Sequence, residues 1–239
     1  MHHVAMHIQN GVLDGPVSLA YALVAVLAFA FCVARGRRDL DDRLAPMAGL
    51  VAAFIFAVQM LNFPVLPGVS GHLLGGTLAA LLVGPWVGAL CVSIVLVVQA
   101  LVFADGGISA LGANITNMAL VGTAVGYLLI AVLLRVLPRT PAGLAITAFV
   151  ASVLSVLAAS QSFVLQYALG GATQLEGYGL GAVATALGGT HLLIGIGEGL
   201  ITATTVVTVA KTRPDLVYAL RGLRRELPAA PSVPVGSVA

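Results

Sequence analysis

Seven apolar runs separated by short polar segments constrain this chain more than any other feature of it. They cover about residues 16–34, 46–63, 72–83, 85–104, 114–137, 141–169 and 180–210. A transmembrane helix takes about 20 mostly apolar residues. None of the runs alternates polar and apolar side chains as the strands of a closed membrane barrel must. The third run is short, and Gly84-Pro85 parts it from the fourth. Proline ends or kinks a helix, so two helices are predicted there, the first a short one. The runs predict an all-α polytopic membrane protein with about seven transmembrane helices. Composition agrees: only 8% of the 239 residues are charged, 59% are hydrophobic, and the mean hydropathy is +1.06. A soluble domain carries about 25% charged residues. These values exclude an ordinary cytosolic enzyme, a nucleic-acid binder and a disordered chain. The abundant Gly (28 residues) and Ala suit helices that pack closely in lipid. Cys32 and Cys91 lie inside apolar runs and read as small core residues, with no disulfide framework.

The positive charges orient the bundle. All eleven Lys and Arg fall in three places. Arg35, Arg37, Arg38 and Arg43 follow the first run; Arg135 and Arg139 follow the fifth; Lys211, Arg213, Arg221, Arg224 and Arg225 follow the seventh. Seven spans put all three clusters on one side, which the positive-inside rule makes cytoplasmic. The N-terminus and segments 64–71, 105–113 and 170–179 then face outward without any Lys or Arg, and hold Asp14, Asp105 and Glu176. Six or eight spans would push basic clusters outside. The predicted organisation is an N-terminal segment over 1–15, a seven-helix domain over 16–210, and a cytoplasmic basic, Pro-rich tail over 211–239, disordered from Leu227. The first run is too long, with the wrong flanks, for a cleaved signal peptide.

Several residues are ones a bilayer protein avoids. His2, His3 and His7 precede the first run, His72 opens the third, and His191 lies in the outer part of the seventh. A single His near a helix end is ordinarily a hydrogen-bonded interfacial residue. Five on one predicted side point towards a metal, for which imidazole is the commonest side-chain ligand. Gln59 and Asn62 end the second run near the outer face, where they can hydrogen-bond the N-terminal segment or His72, or simply join helices. Asp105-Gly106-Gly107 reads first as a turn. His191 and Glu198 are seven apart and share a helical face. Glu198 is the only acid deep in a run. A charge at mid-bilayer costs at least about 2.5–3.5 kcal/mol, so it must be paired, protonated or hydrated. Ala30 and Ala34, and Ala53-Phe54-Ile55-Phe56-Ala57, give small-xxx-small spacing that serves either packing or a membrane partner.

Read in order, these polar positions form a series. It runs Met6-His7-Ile8, Gln59-Met60-Leu61-Asn62-Phe63-Pro64 and Ser70-Gly71-His72-Leu73-Leu74-Gly75-Gly76. It continues with Gly84-Pro85-Trp86, Gln99-Ala100-Leu101, Asp105-Gly106-Gly107 and Leu111-Gly112-Ala113-Asn114, and ends with His191 to Thr202. Over about residues 6–210 the chain resembles the CbiM/NikM family, the cobalt- and nickel-binding S-components of energy-coupling factor (ECF) transporters. The resemblance implies that the N-terminus folds into the outer mouth and binds the metal. Its ligands there are the terminal amine, the amide nitrogen and imidazole of the second residue, and an imidazole from the Ser-Gly-His-Leu-Leu-Gly-Gly motif. Carried over, these belong to Met6, His7 and His72. Amine, amide and imidazole Nδ1 close fused chelate rings, and four coplanar nitrogens suit Ni(II), with Co(II) also accepted. Zn(II) prefers a tetrahedron. Binding releases protons, because the amine must deprotonate.

Five residues precede Met6, so the amine of this motif is free only when the chain starts there. The alternative is a chelate by Met1, His2 and His3. A second departure is Gln9-Asn10-Gly11 in place of Pro-Asp-Gly, which removes a carboxylate near the metal. There is no G-x-x-x-x-G-K-[ST] phosphate loop. The resemblance therefore implies a transporter subunit with no ATPase of its own. Its implied partners are a transmembrane T-component, cytoplasmic ATPase subunits and a small accessory membrane subunit, in a bacterial inner membrane. It implies no resident cofactor, with Co2+ or Ni2+ as transported substrate. Two other classes stay open: a proton-driven secondary transporter using Glu198 and His191 as a relay, and an intramembrane hydrolase using His72 or His191 as base. Neither paired interrupted helices nor a nucleophile elbow supports them. Cobalt and nickel are not separable from the sequence, since both suit the same nitrogen set.

Overall fold

The computed structural model describes residues 7–42, 44–60, 62–66, 69–138, 140–171 and 179–221, with backbone only over 62–66 and 69–71. Each apolar run becomes a helix: α1 (Gly15–Gly36), α2 (Leu44–Gln59), α3 (Gly76–Val83), α4 (Pro85–Val102), α5 and α6 (Leu111–Asn114 and Thr123–Val136, joined by a π-helical stretch Ile115–Gly122), α7 (Pro141–Gly170) and α8 (Leu180–Thr212). The fold is that of an all-α polytopic membrane protein. Among the described residues, five helical stretches are long and apolar enough to cross a bilayer alone: 15–36, 85–102, 111–136, 141–170 and 180–212. The 16-residue α2 is shorter. The eight-residue α3 rises only about 12 Å of a roughly 30 Å hydrocarbon core.

Local chemistry sets the helix starts. Asp14 accepts from the Val17 amide at 2.8 Å and caps α1, with Pro16 in the first turn. Thr140 does the same for α7 through Gly143 at 3.1 Å, ahead of Pro141. The second run stops being helical at Gln59. Asn62–Leu66 and Val69–His72 then pair as a short antiparallel hairpin, β1 and β2, with Asn62 opposite His72. Asn62 therefore stands on a strand and not at a helix end, and its side chain lies outside the described residues. His72 precedes α3 instead of opening it. At the other end of α3, Gly84 takes φ +85°, and a Cβ there would stand 2.8 Å from the Tyr218 ring. Only glycine turns the chain in that space from α3 into Pro85.

All eight residues of α3 are buried, making it the central element. Helix α1 is its opposite. Its Leu19 and Val26 are 73% and 65% exposed, which hydrocarbon tolerates and water does not. Helices α7 and α8 pack through small residues: a Cβ on Gly199 would stand 2.7 Å from Phe149. The π-helical stretch is held by hydrogen bonds absent from a plain helix pair. Ser155 donates to the Gly122 carbonyl at 2.7 Å, and Asn117 and Gln166 exchange two bonds of 2.8 Å. Beyond residue 210, Pro214–Leu216 and Tyr218–Leu220 form 3-10 turns that pack back on the bundle, with Val217 fully buried. The tail from Leu227 lies outside the described residues. Both cysteines are buried and free.

These contacts sort the molecule into two ends. Arg35 at the end of α1 lies over Trp86 at the start of α4, and Tyr218 meets Gly84. Lys211 of α8 shares a groove with Leu134 of α6 and Pro141 of α7. The first and last helices thus bring their basic ends together. The opposite end gathers residues 7–14, the hairpin, and the turn after α4.

Candidate metal centre

Residues 7–14 cross the opposite end as a strap, held by named hydrogen bonds. The Asn114 side chain reads both backbone groups of Ile8: its Oδ1 accepts from the Ile8 amide at 3.1 Å, and its Nδ2 donates to the Ile8 carbonyl at 3.2 Å. That carbonyl also accepts from the Gly107 amide at 2.9 Å. Asn10 Oδ1 accepts from the Ser109 amide and hydroxyl, at 2.9 and 2.8 Å. The strap ends where the Asp14 amide donates to Gly170 at 2.8 Å and Leu13 bridges Gly171.

The strap delivers His7 to His72. Their ring centroids are 4.5 Å apart with the planes tilted by 56°, and the residues are only 6% and 4% exposed. His7 Nδ1 lies 3.4 Å from Asp105 Oδ1. Asp105 reaches it because the chain turns back sharply after α4. Ala104 takes φ +53°, and the Asp105 amide donates to the Gln99 carbonyl at 3.0 Å. Gly106 follows with φ +96°, and a Cβ there would sit 2.7 Å from the His7 Cβ. That glycine both permits the turn and makes room for the ring.

The His72 imidazole has a defined tautomer. Its Nδ1 is 2.8 Å from the Leu73 carbonyl. A carbonyl only accepts, so Nδ1 carries the proton and the Nε2 lone pair is the one available to a metal. Burial first, and the adjacent His7 second, lower the pKa of this hairpin histidine to about 3. The ring is therefore neutral and ligand-ready across the working pH range. Two buried imidazoles in ring contact, with a carboxylate beside one, suit a divalent transition metal with nitrogen preference. Among the described residues, no group of three or more His, Cys, Asp or Glu is placed to hold a metal ion. Met6, and likewise Met1, His2 and His3, lie outside the described residues.

The other predicted residues separate. Gln59 is fully buried and donates from Nε2 to the Leu74 carbonyl at 2.8 Å. Glu198 is buried and accepts the Leu74 amide at 2.6 Å. His191 shares no hydrogen bond with Glu198 among the described residues; its Nδ1 meets the Leu187 carbonyl of its own helix at 2.8 Å. Sequence reasoning underrated Asp105, which it read as a turn residue, and left Asn114 and Ser109 without a role. Asp105 and Asn114 already stood in the ordered series, and that position was the available signal.

Comparison with known proteins identifies the family. Residues 7–216 match the CbiM family, described as the cobalt uptake substrate-specific transmembrane region. A putative fused nickel transport protein NikMN of Archaeoglobus fulgidus is 41% identical over 212 residues, covering 89% of this chain and 68% of that protein. A putative metal transport protein of Haloquadratum walsbyi is 39% identical over 214 residues, covering 89% of this chain and 94% of its own length. A crystal structure of a transition metal transporter superposes with a TM-score of 0.76 at 30% identity, covering 92% of this chain and all (100%) of that one. The chain belongs to the CbiM family and is a multi-pass membrane protein of the kind that forms the substrate-specific region for cobalt uptake.

Proposed function

We propose that this chain captures Co2+ or Ni2+ at the outer end of its bundle, as the S-component of an ECF importer. The observation that carries this reading is the meeting of His7 and His72, buried at 4.5 Å beneath a strap whose backbone Asn114 holds. In this reading the strap and hairpin imidazoles are joined by further nitrogen from the chain just before His7. In this reading those donors are the Met6 amine and the His7 amide, made available by a start at Met6. Four nitrogens in a plane select Ni(II) or Co(II) over Zn(II) by geometry, where affinity order alone does not. The basic end faces the cytoplasm. Transport then draws on a T-component and ATPase subunits, with a small accessory membrane subunit beside this chain, because the sequence has no phosphate loop of its own.

The test is N-terminal sequencing of the membrane-inserted protein, followed by Ni(II) and Co(II) titration of the full chain and of a variant lacking residues 1–5. The proposal expects the shortened chain to bind as well as the parent or better. Loss of binding on that deletion would assign the chelate to Met1, His2 and His3 instead.

A further inference from the structure

Two residues beyond His72, the backbone of one residue is gripped on both its amide and its carbonyl. The Leu74 amide donates to Glu198 Oε2 of α8 at 2.6 Å, and the Leu74 carbonyl accepts from Gln59 Nε2 of α2 at 2.8 Å. Both gripping side chains are buried, Glu198 at 3% and Gln59 at 0% exposure. Leu74 immediately precedes Gly75, the N-cap of α3, which has no side chain to cap the helix. A helix N-terminus carries partial positive charge and unpaired amides, so an acidic side chain near it is stabilising. Glu198 of α8 thus places an acidic side chain beside the start of α3, on the amide of the residue just before the cap. This also accounts for an acid in the interior of a membrane bundle, a position usually reserved for function.

Only Leu73 separates the gripped residue from His72. The Leu73 carbonyl is also the acceptor that sets the His72 tautomer. Wherever Leu74 is held, the imidazole follows. We propose that Glu198 and Gln59 are positioning residues for the metal site: they hold the Leu74 backbone, by its amide and its carbonyl, so that His72 is presented to His7. They also tie the metal-binding hairpin to α2, α3 and α8. The inference rests on the reading that His72 is a metal ligand.

Nickel titration of the purified full chain tests it, with thermal unfolding as a check on folding. Glu198→Ala should weaken Ni(II) binding by about tenfold or more, the scale of a lost outer partner. Glu198→Gln keeps an oxygen for the Leu74 amide without the charge, and should stay within about threefold of the parent. In a His72→Ala background, Glu198→Ala should change nothing further, since it acts through that ring. Parental affinity in Glu198→Ala would overturn the proposal. So would Glu198→Gln binding as weakly as Glu198→Ala, which would mark a role for charge and not position, or an equal weakening in the His72→Ala background. Should Glu198→Ala not fold, Gln59→Met decides: it lacks the donor, is expected to weaken binding by about threefold or more, and overturns the proposal if binding is unchanged. If His72→Ala alone binds as the parent does, the ligand reading itself fails. If His72→Ala loses binding and Glu198→Ala does not, only the positioning role fails.

Discussion

The two ends of the bundle handle charge in opposite ways. At the basic end the guanidinium of Arg35 lies over the rings of Phe31 and Trp86, at 5.7 and 5.8 Å, and Arg221 lies over Tyr218 at 5.6 Å. Arg213 pairs with Asp215 while 60% exposed. These cations sit on the outside of the protein, stacked on aromatic faces at the bundle end. At the other end three titratable groups turn inward: His7, His72 and Asp105 are all less than 9% exposed. Water-exposed charges cost little to keep. Buried polar groups cost free energy unless partnered, so a cluster of them marks a site. One end carries its charges at the surface, and the other buries its titratable side chains against one another.

The widest gap between the ends should appear in a pair of variants. His72→Ala should remove high-affinity Ni(II) or Co(II) binding, beyond the roughly 10–100-fold that losing an outer partner costs. Arg35→Ala should leave that affinity unchanged and cost about 0.5–1 kcal/mol of stability. Calorimetric titration of both breaks the comparison if the two respond alike. A smaller effect is expected from Asn114→Leu, which frees both Ile8 backbone groups. Metal binding should weaken by about tenfold, and stability should fall by about 1–3 kcal/mol for the groups left unpaired. An Asn114→Leu protein that binds at parental strength would show that the strap needs no clamp.

The smallest effect concerns protons. With its pKa lowered to about 3, His72 stays neutral in the folded protein as pH falls from 8 to 5. The unfolded chain protonates an ordinary imidazole below about 6.5. The folded state thus binds fewer protons there, and this histidine's contribution to stability is lost progressively as pH falls from about 6.5 towards 3. In metal-free protein the His72 ring resonances should not move between pH 8 and 5. A titration midpoint near 6.5 would mean that the ring is open to water.

Much of this was legible in the residues. Each apolar run became a helix because length and hydropathy leave a membrane chain few other structures. Gly84-Pro85 marked the break between α3 and α4, and the ordered polar series contained His7, His72, Asp105 and Asn114, which the fold gathers at one end. What periodicity could not reveal was long-range pairing. Asn62 looked like the end of a helix, yet it pairs across a hairpin with His72, a contact that an apolar pattern along one run does not report. Asp105 looked like a turn residue and is one; the same turn also aims it at His7. Glu198 was conspicuous as an acid in a span, but its partner lies 124 residues away, a distance no local rule spans.

The central claim is that a transition metal is held by chain nitrogens together with the two imidazoles that meet at this end. X-ray absorption spectroscopy of the nickel-loaded full chain tests it most directly. The account predicts a first shell of nitrogen alone, with imidazole scattering that diminishes in His72→Ala. Oxygen or sulfur in the first shell, or a spectrum untouched by that substitution, would contradict it.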